Sequence, residues 1–330
     1  MKKPSKVGLS KLMDARRKLS TFRRGGFSTK REKSASQQAI KKLLESNFTK
    51  AGFELNKFGA LIKQSDAEAR QKLANLKAES DKQSPAVLET LHGTAENLIA
   101  NVAHLQAIPA TVASPTYFLL DTATEISSNG GVTLVSKHIG PSPEFNSAQF
   151  HFDGDAADAG FGTPGSGEVS FGFLWQNPSH VSAVINIDGY IALNGLCSVI
   201  SNGGFWGKGF SNLSISTSLI INELWNSPPT SPIEQPSQSQ QALSLSCDSI
   251  GPFASSHIAF ENLFRGFDLQ FSQLVVPPKG TVGFEVVCTL FTWMNDGAAH
   301  GIFNDRGREA FSPGVLIAVL PSLTATRAAA

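Results

Sequence analysis

Long hydrophobic runs are missing from this chain. The most apolar stretch, Val315 to Leu320, falls far short of the ~20 residues that a membrane-spanning helix needs. The basic N-terminus is not followed by an apolar segment either, which excludes the pattern of a cleavable secretory signal. The expectation is a soluble protein, cytoplasmic by default. Cysteine is scarce: Cys197, Cys247 and Cys288 are an odd number in apolar surroundings, which argues for small buried hydrophobes rather than a disulfide framework. Acidic residues are few at the start of the chain, where residues 1–110 carry 10 Asp/Glu against 21 Lys/Arg. Tryptophan and tyrosine are absent there altogether. The remaining residues reverse the balance, with 17 Asp/Glu against 7 Lys/Arg, so the overall charge of +1 hides two unlike parts.

Residues 1–34 read as a disordered basic tail, because a density of like charge this high resists compaction. Arg16, Arg17, Lys18, Arg23 and Arg24 are its candidate polyanion contacts, for nucleic acid or an anionic membrane surface. The tail has no interleaved aromatics for base stacking, and a solubilising tail, an export address or a dock for an acidic protein are equally consistent with it.

From 35 to 107 the pattern is helical. Leu44, Phe48, Ala51, Leu55, Phe58 and Ile62 repeat at 4-3-4-3-4, and Leu88, Leu91, Ala95, Leu98, Val102 and Leu105 at 3-4-3-4-3. Ser84 followed by Pro85 has the form of an N-cap and first helical position. A break at Asp81-Lys82-Gln83 would then give a helical hairpin, or two seams that pair with other subunits as a coiled coil. Residues 108–115, with two prolines, form an extended linker.

Period-2 alternation dominates 116–322, as in Val169/Phe171/Phe173/Trp175 and Val282/Phe284/Val286/Cys288/Leu290. Ten or eleven strands without helical crossovers indicate an antiparallel β-sandwich of jelly-roll type, and residues 323–330 read as a frayed end. The fold class is therefore α+β with the two kinds of element segregated along the chain. Residues 153–167 and 226–241 read as long polar loops.

Motifs for chemistry are also lacking. No H-E-x-x-H, G-x-S-x-G or Cys-x-x-Cys occurs. Gly160, Gly162 and Gly165 spell G-x-G-x-x-G, but Pro164 sits inside it and a strand follows, which is a turn rather than a dinucleotide site. No cofactor is implied. Asp153, Asp155 and Asp158 are the one metal candidate, as oxygen ligands for Ca²⁺ on an acidic loop. His257 after Ser255-Ser256, and His300 near Asp296 and Asp305, are the only hints of a catalytic triad. The glycine-rich segment 201–211 displays Phe205, Trp206 and Phe210, and Trp225 and Trp293 fall at strand ends. Aromatics in such places either cover the core or stack on a ligand, so Phe205, Trp206, Phe210 and Trp225 are the candidate ligand contacts, for a carbohydrate or a protein. The leading reading is a non-enzymatic binding or structural protein with helices for self-association and a β head for ligand. The alternatives are a coat-type protein packaging nucleic acid with its basic arm, and a hydrolase with a loop-built site.

Overall fold

The computed structural model describes residues 54–107, 114–156, 162–225, 233–235, 238–303 and 309–321, together with single helical positions at 42, 43, 46, 49 and 50. The candidate polyanion contacts Arg16, Arg17, Lys18, Arg23 and Arg24 lie outside the described residues, as does Asp158.

The helical hairpin is not formed. One helix, α1 (Leu55–Ala107), runs unbroken through Ser84 and Pro85 for 53 residues, about 80 Å at 1.5 Å per residue. The segment 81–83 contains neither glycine nor a second proline, so nothing there ends the helix. Pro85 inside it lacks the N–H for one backbone hydrogen bond, a cost of about 3 kcal/mol in a free helix. Packing offsets that cost. Ser80, Ser84 and Ala95 are fully buried and Val102 nearly so, and Leu88, Leu91 and Ile99 join the same stripe. These positions recur every three or four residues and therefore share one face. Of the seam expected at 88–105, Leu88, Leu91, Ala95 and Val102 lie against the chain's own sheet while Leu98 is exposed, and the side chains of Leu44, Phe48, Ala51, Leu55, Phe58 and Ile62 lie outside the described residues.

Among the described residues fourteen strands follow: β1 (Thr116–Leu120), β2 (Glu125–Gly130), β3 (Val132–His138), β4 (Asn146–Ala156), β5 (Thr163–Gln176), β6 (Ala183–Ser201), β7 (Gly204–Glu223), β8 (Ile233–Gln235), β9 (Ser239–Ala254), β10 (His257–Val276), β11 (Thr281–Asn295), β12 (Gly297–Phe303), β13 (Ala310–Ser312) and β14 (Val315–Val319). They form an eight-stranded and a six-stranded sheet, with every pairing antiparallel. In the first sheet β6 is flanked by β10 on one side and by β14, β13 and β12 in turn on the other, and β4 lies beyond β12. The second runs β2-β5-β11-β7, with β8 and β9 both on β7. Inward residues of both sheets make one core that includes Phe150, Phe171, Phe284 and Phe303. Cys197 and Cys288 are buried in it as free thiols, and Cys247 is half-buried and also free. Burial pushes the Cys288 thiol up to about 12 and that of Cys197 well above its ordinary value, so neither is a ready nucleophile.

The strand β6 shows how the layers stack. Residues 189–199 are buried without interruption. Ile187, Ile191, Leu193, Cys197 and Val199 point into the core, while Tyr190 and Ala192 point outward and meet Ala95, Phe145 and Phe311 under the helix. Residues Leu98–Val102 of α1 lie near Gly189 and Tyr190, and Ala69 and Arg70 near Ile200 and Asn202, so the helix runs antiparallel to β6 along the outer face of its sheet.

The expected loop at 153–167 is strand at both of its ends, and the described part of 226–241 includes the short strand β8 and the start of β9, while 157–161, 226–232 and 236–237 lie outside the described residues. Asp153 to Ala156 complete β4 and Thr163 to Gly167 open β5, while Ser239 onward belongs to β9. Polar alternation on a solvent-facing side left no apolar period to read. The glycine segment is also strand, the start of β7.

Candidate ligand-binding face

Four connections cross between the sheets at one end of the sandwich: β4 to β5, β6 to β7, β9 to β10 and β11 to β12. The last three are bound to one another there. Asn202 N–H donates to the Asp296 carbonyl at 2.9 Å, Gly203 N–H to Ser256 Oγ at 2.7 Å, and the Ser201 and Ser249 hydroxyls meet at 2.7 Å. A side chain at position 203 would run into the backbone of Ala254–Ser256, which explains a glycine inside the turn. Strands crowded at such a corner leave no room for Cβ atoms, so glycines here mark close packing and not an open loop.

At this end the outer face of the six-stranded sheet carries aromatics. On β11 the even positions Val282, Phe284, Val286, Cys288, Leu290 and Met294 are buried, whereas Phe291 is 45 % and Trp293 44 % exposed. Phe291 stands between Ser166 of β5 and Ser214 of β7, and Trp293 between Pro164 and Asn212. Serine and asparagine are too short to cover a ring, so both side chains stay close to half exposed. The Trp293 indole lies over Gly162, where any side chain would collide with it. Phe210 shares the parity of Asn212 and Ser214 and sits opposite Asn295 and Asp248. Beside it Ile250 is 69 % exposed. The Asn295 amide donates to the Lys208 carbonyl at 2.9 Å and is thereby fixed at the end of the aromatic row.

The residues singled out in the sequence separate accordingly. Phe210 joins this face, half-buried. The backbone of Phe205 and Trp206 belongs to the same end of β7, and their side chains lie outside the described residues. Trp225 does not join them. It follows the far end of β7, roughly 50 Å along the strand from Phe210 at ~3.3 Å per residue, and packs on the core. Phe291 was not singled out, yet a signal existed: Phe291 and Trp293 occupy the polar parity of a strand whose other parity is core.

Asp153 and Asp155 stand on the outward side of β4, on the opposite sheet. Asp153 Oδ1 lies 2.8 Å from Nδ1 of His300, its cross-strand neighbour, and His151 Nε2 is 3.8 Å from Asp153 Oδ2. Among the described residues no group of three His, Cys, Asp or Glu is placed to hold a metal ion. His257 Nε2 is 3.5 Å from the Ser255 hydroxyl, exposed and at the limit of a hydrogen bond. No described helix is long and apolar enough to cross a membrane.

No family model matches the chain, and no curated protein matches it. Solved structures give slight likenesses. A carbohydrate-binding module, TmCBM61, in complex with β-1,4-galactotriose is 10 % identical over 54 % of this chain and 90 % of its own, with a TM-score of 0.19. A structure from work on promiscuous specificity in carbohydrate-binding modules of the β-sandwich superfamily is 8 % identical over 56 % of each chain, at 0.23. The structure of infectious bursal disease virus, Gx strain, is 9 % identical over 62 % of this chain and 38 % of its own, at 0.14. At these TM-scores the likenesses carry no argument, and the functional reading stands on the geometry alone.

Proposed function

We propose that this is a non-enzymatic binding protein that holds a carbohydrate on the open face of its six-stranded sheet, at the end where the strands cross between sheets. One observation carries the reading: Phe291 and Trp293 project side by side, each close to half exposed, on the solvent parity of β11. An exposed aromatic pair framed by polar groups is a costly surface to keep in water unless something stacks on it. The apolar faces of a pyranose ring match the two rings. Around them Asn212, Ser214, Ser166 and Asp248 offer donors and acceptors for hydroxyl groups along a flat sheet. An open sheet face of this kind suits an extended chain of sugars, which can lie along several strands.

Among the described residues the His300–Asp153 pair has no serine, threonine or cysteine hydrogen-bonded to its ring, and the His257–Ser255 contact at 3.5 Å is at the limit of a hydrogen bond, so binding is favoured over hydrolysis.

Affinity electrophoresis of the full chain against a panel of neutral polysaccharides tests the proposal. Retardation by at least one glycan is expected, with a loss of at least about tenfold in affinity for Trp293→Ala and a smaller loss for Phe291→Ala, at unchanged thermal stability. A panel that retards neither the native chain nor the variants, or retardation indifferent to both substitutions, would reject it.

A further inference from the structure

A second surface lies on the opposite sheet. Between Ala69–Arg70 of α1 and the outward residues of β4, β6, β10 and β12 there is a crevice of about 390 Å³. That volume falls in the range of roughly 300–1,000 Å³ typical of small-molecule sites. Its floor is aliphatic, made by Ile200, Ile258 and Ala298. Its polar groups differ in kind. Arg70 comes from the helix and Asp155 from β4, and among the described residues neither side chain makes an ion pair or hydrogen bond, although both line the same space. Opposite charges that converge on a cavity without meeting leave room for a molecule that bears both complementary charges.

The register of the sheet places the rest. Ala298 is opposite Asp155 and His300 opposite Asp153, so one row along β4 and β12 presents a carboxylate over a small residue and then an imidazole held by a carboxylate. The 2.8 Å contact of His300 Nδ1 with Asp153 Oδ1 fixes the ring, and with Nδ1–H as donor the neutral ring has its Nε2 as an acceptor. Ser256 accepts from the Gly203 N–H at 2.7 Å, which leaves its own hydroxyl hydrogen to donate.

We infer that this crevice binds a small zwitterion with a short aliphatic body, its carboxylate on Arg70 and its ammonium on Asp155. The aliphatic part rests on Ile200, Ile258 and Ala298, and the ammonium hydrogens have His300 Nε2 as a second acceptor. The site is separate from the aromatic face, which belongs to the other sheet.

Calorimetric titration of the full chain with leucine, isoleucine and valine, and with N-acetyl-leucine and isoamylamine as single-charge analogues, tests it. At least one free amino acid should bind, and both analogues should bind at least tenfold more weakly. Arg70→Gln should abolish the discrimination against the amine, and Asp155→Asn the discrimination against the N-acetyl derivative. Both positions are exposed on regular elements, and circular dichroism with thermal melting checks that each variant folds. Trp293→Ala should leave these titrations unchanged. Absence of binding by all three amino acids, or binding retained by both charge variants, would overturn the inference.

Discussion

His92 sits edge-on against Phe311, with ring centroids 4.5 Å apart, and against Phe145 at 5.3 Å, and those two phenylalanines stack at 5.5 Å. Its Nε2 is buried with no hydrogen-bond partner. Desolvation holds the imidazole below its ordinary value of 6.5, and Glu96 one turn along the helix opposes this in part. The folded state therefore prefers neutral His92. Its contribution to stability is complete above pH 6.5, the value in the unfolded chain, and is lost as the pH falls through the lower folded value. Docking of α1 should weaken as the pH falls below 6.5, measured as a loss of hydrogen-exchange protection, relative to the intrinsic rate at each pH, for helix amides near residue 92. His92→Phe should remove that dependence, and protection in the native chain that does not change with pH would refute the assignment. At the same scale, Phe291 and Trp293 show how a site is legible in a sequence. Their parity contradicts a strand pattern that was read correctly. The crevice residues carry no such mark, because Arg70 and His300 are 230 positions apart and only the docking of α1 brings them together.

At the scale of elements, α1 is where sequence and structure diverge. The Ser84-Pro85 signature is that of a helix start, but it is also compatible with a proline carried inside a helix whose face is pressed on a sheet. Nothing local distinguishes the two, since the deciding contacts come from residues 145, 190, 192 and 311. Pro85→Ala should restore a backbone hydrogen bond and raise stability by about 2–2.5 kcal/mol, the helix gain less the lost restriction of the unfolded chain. Urea denaturation measures it, and a destabilised variant would mean that Pro85 itself shapes the docking. The two sides of the helix should respond unequally. Ala95→Asp places a charge at a fully buried position and should cost roughly 3 kcal/mol or more, whereas Leu98→Asp, at 37 % exposure, should cost under about 1.5 kcal/mol. Similar costs at both positions would contradict the observed docking face. The strands were easier. The alternating series at 169–175 and 282–290 lie within β5 and β11 and the apolar stretch 315–320 corresponds closely to β14, while β6, buried on both faces from 189 to 199, shows no alternation.

For the whole molecule, the β-sandwich class was legible because 14 strands with a shared inward parity need no distant information. The three-layer arrangement, helix over sheet over sheet, was not. Residues 111–330 alone should still fold through their own core, but with Phe145, Tyr190, Ala192 and Phe311 uncovered. Loss of the contacts of Val102 and of the partly buried Leu88, Leu91 and Ile99 should lower stability by on the order of 5 kcal/mol. The truncated chain should self-associate, and a peptide of residues 54–107 should return it to monomer, as followed by light scattering. A truncated chain that is monomeric and as stable as the full one would show that the helix contributes nothing to the head.

The order of the elements has a consequence during translation. The helix leaves the ribosome long before its docking surface exists, because Phe311 follows Val102 by 209 residues. At 5–20 residues per second the stripe waits roughly 10–40 s for the last of its partners. A continuous row of large apolar side chains would invite aggregation over that interval. The stripe instead interleaves Ser80, Ser84 and Ala95 with its leucines, small residues that fit closely once the sheet is complete and are tolerable in water until then.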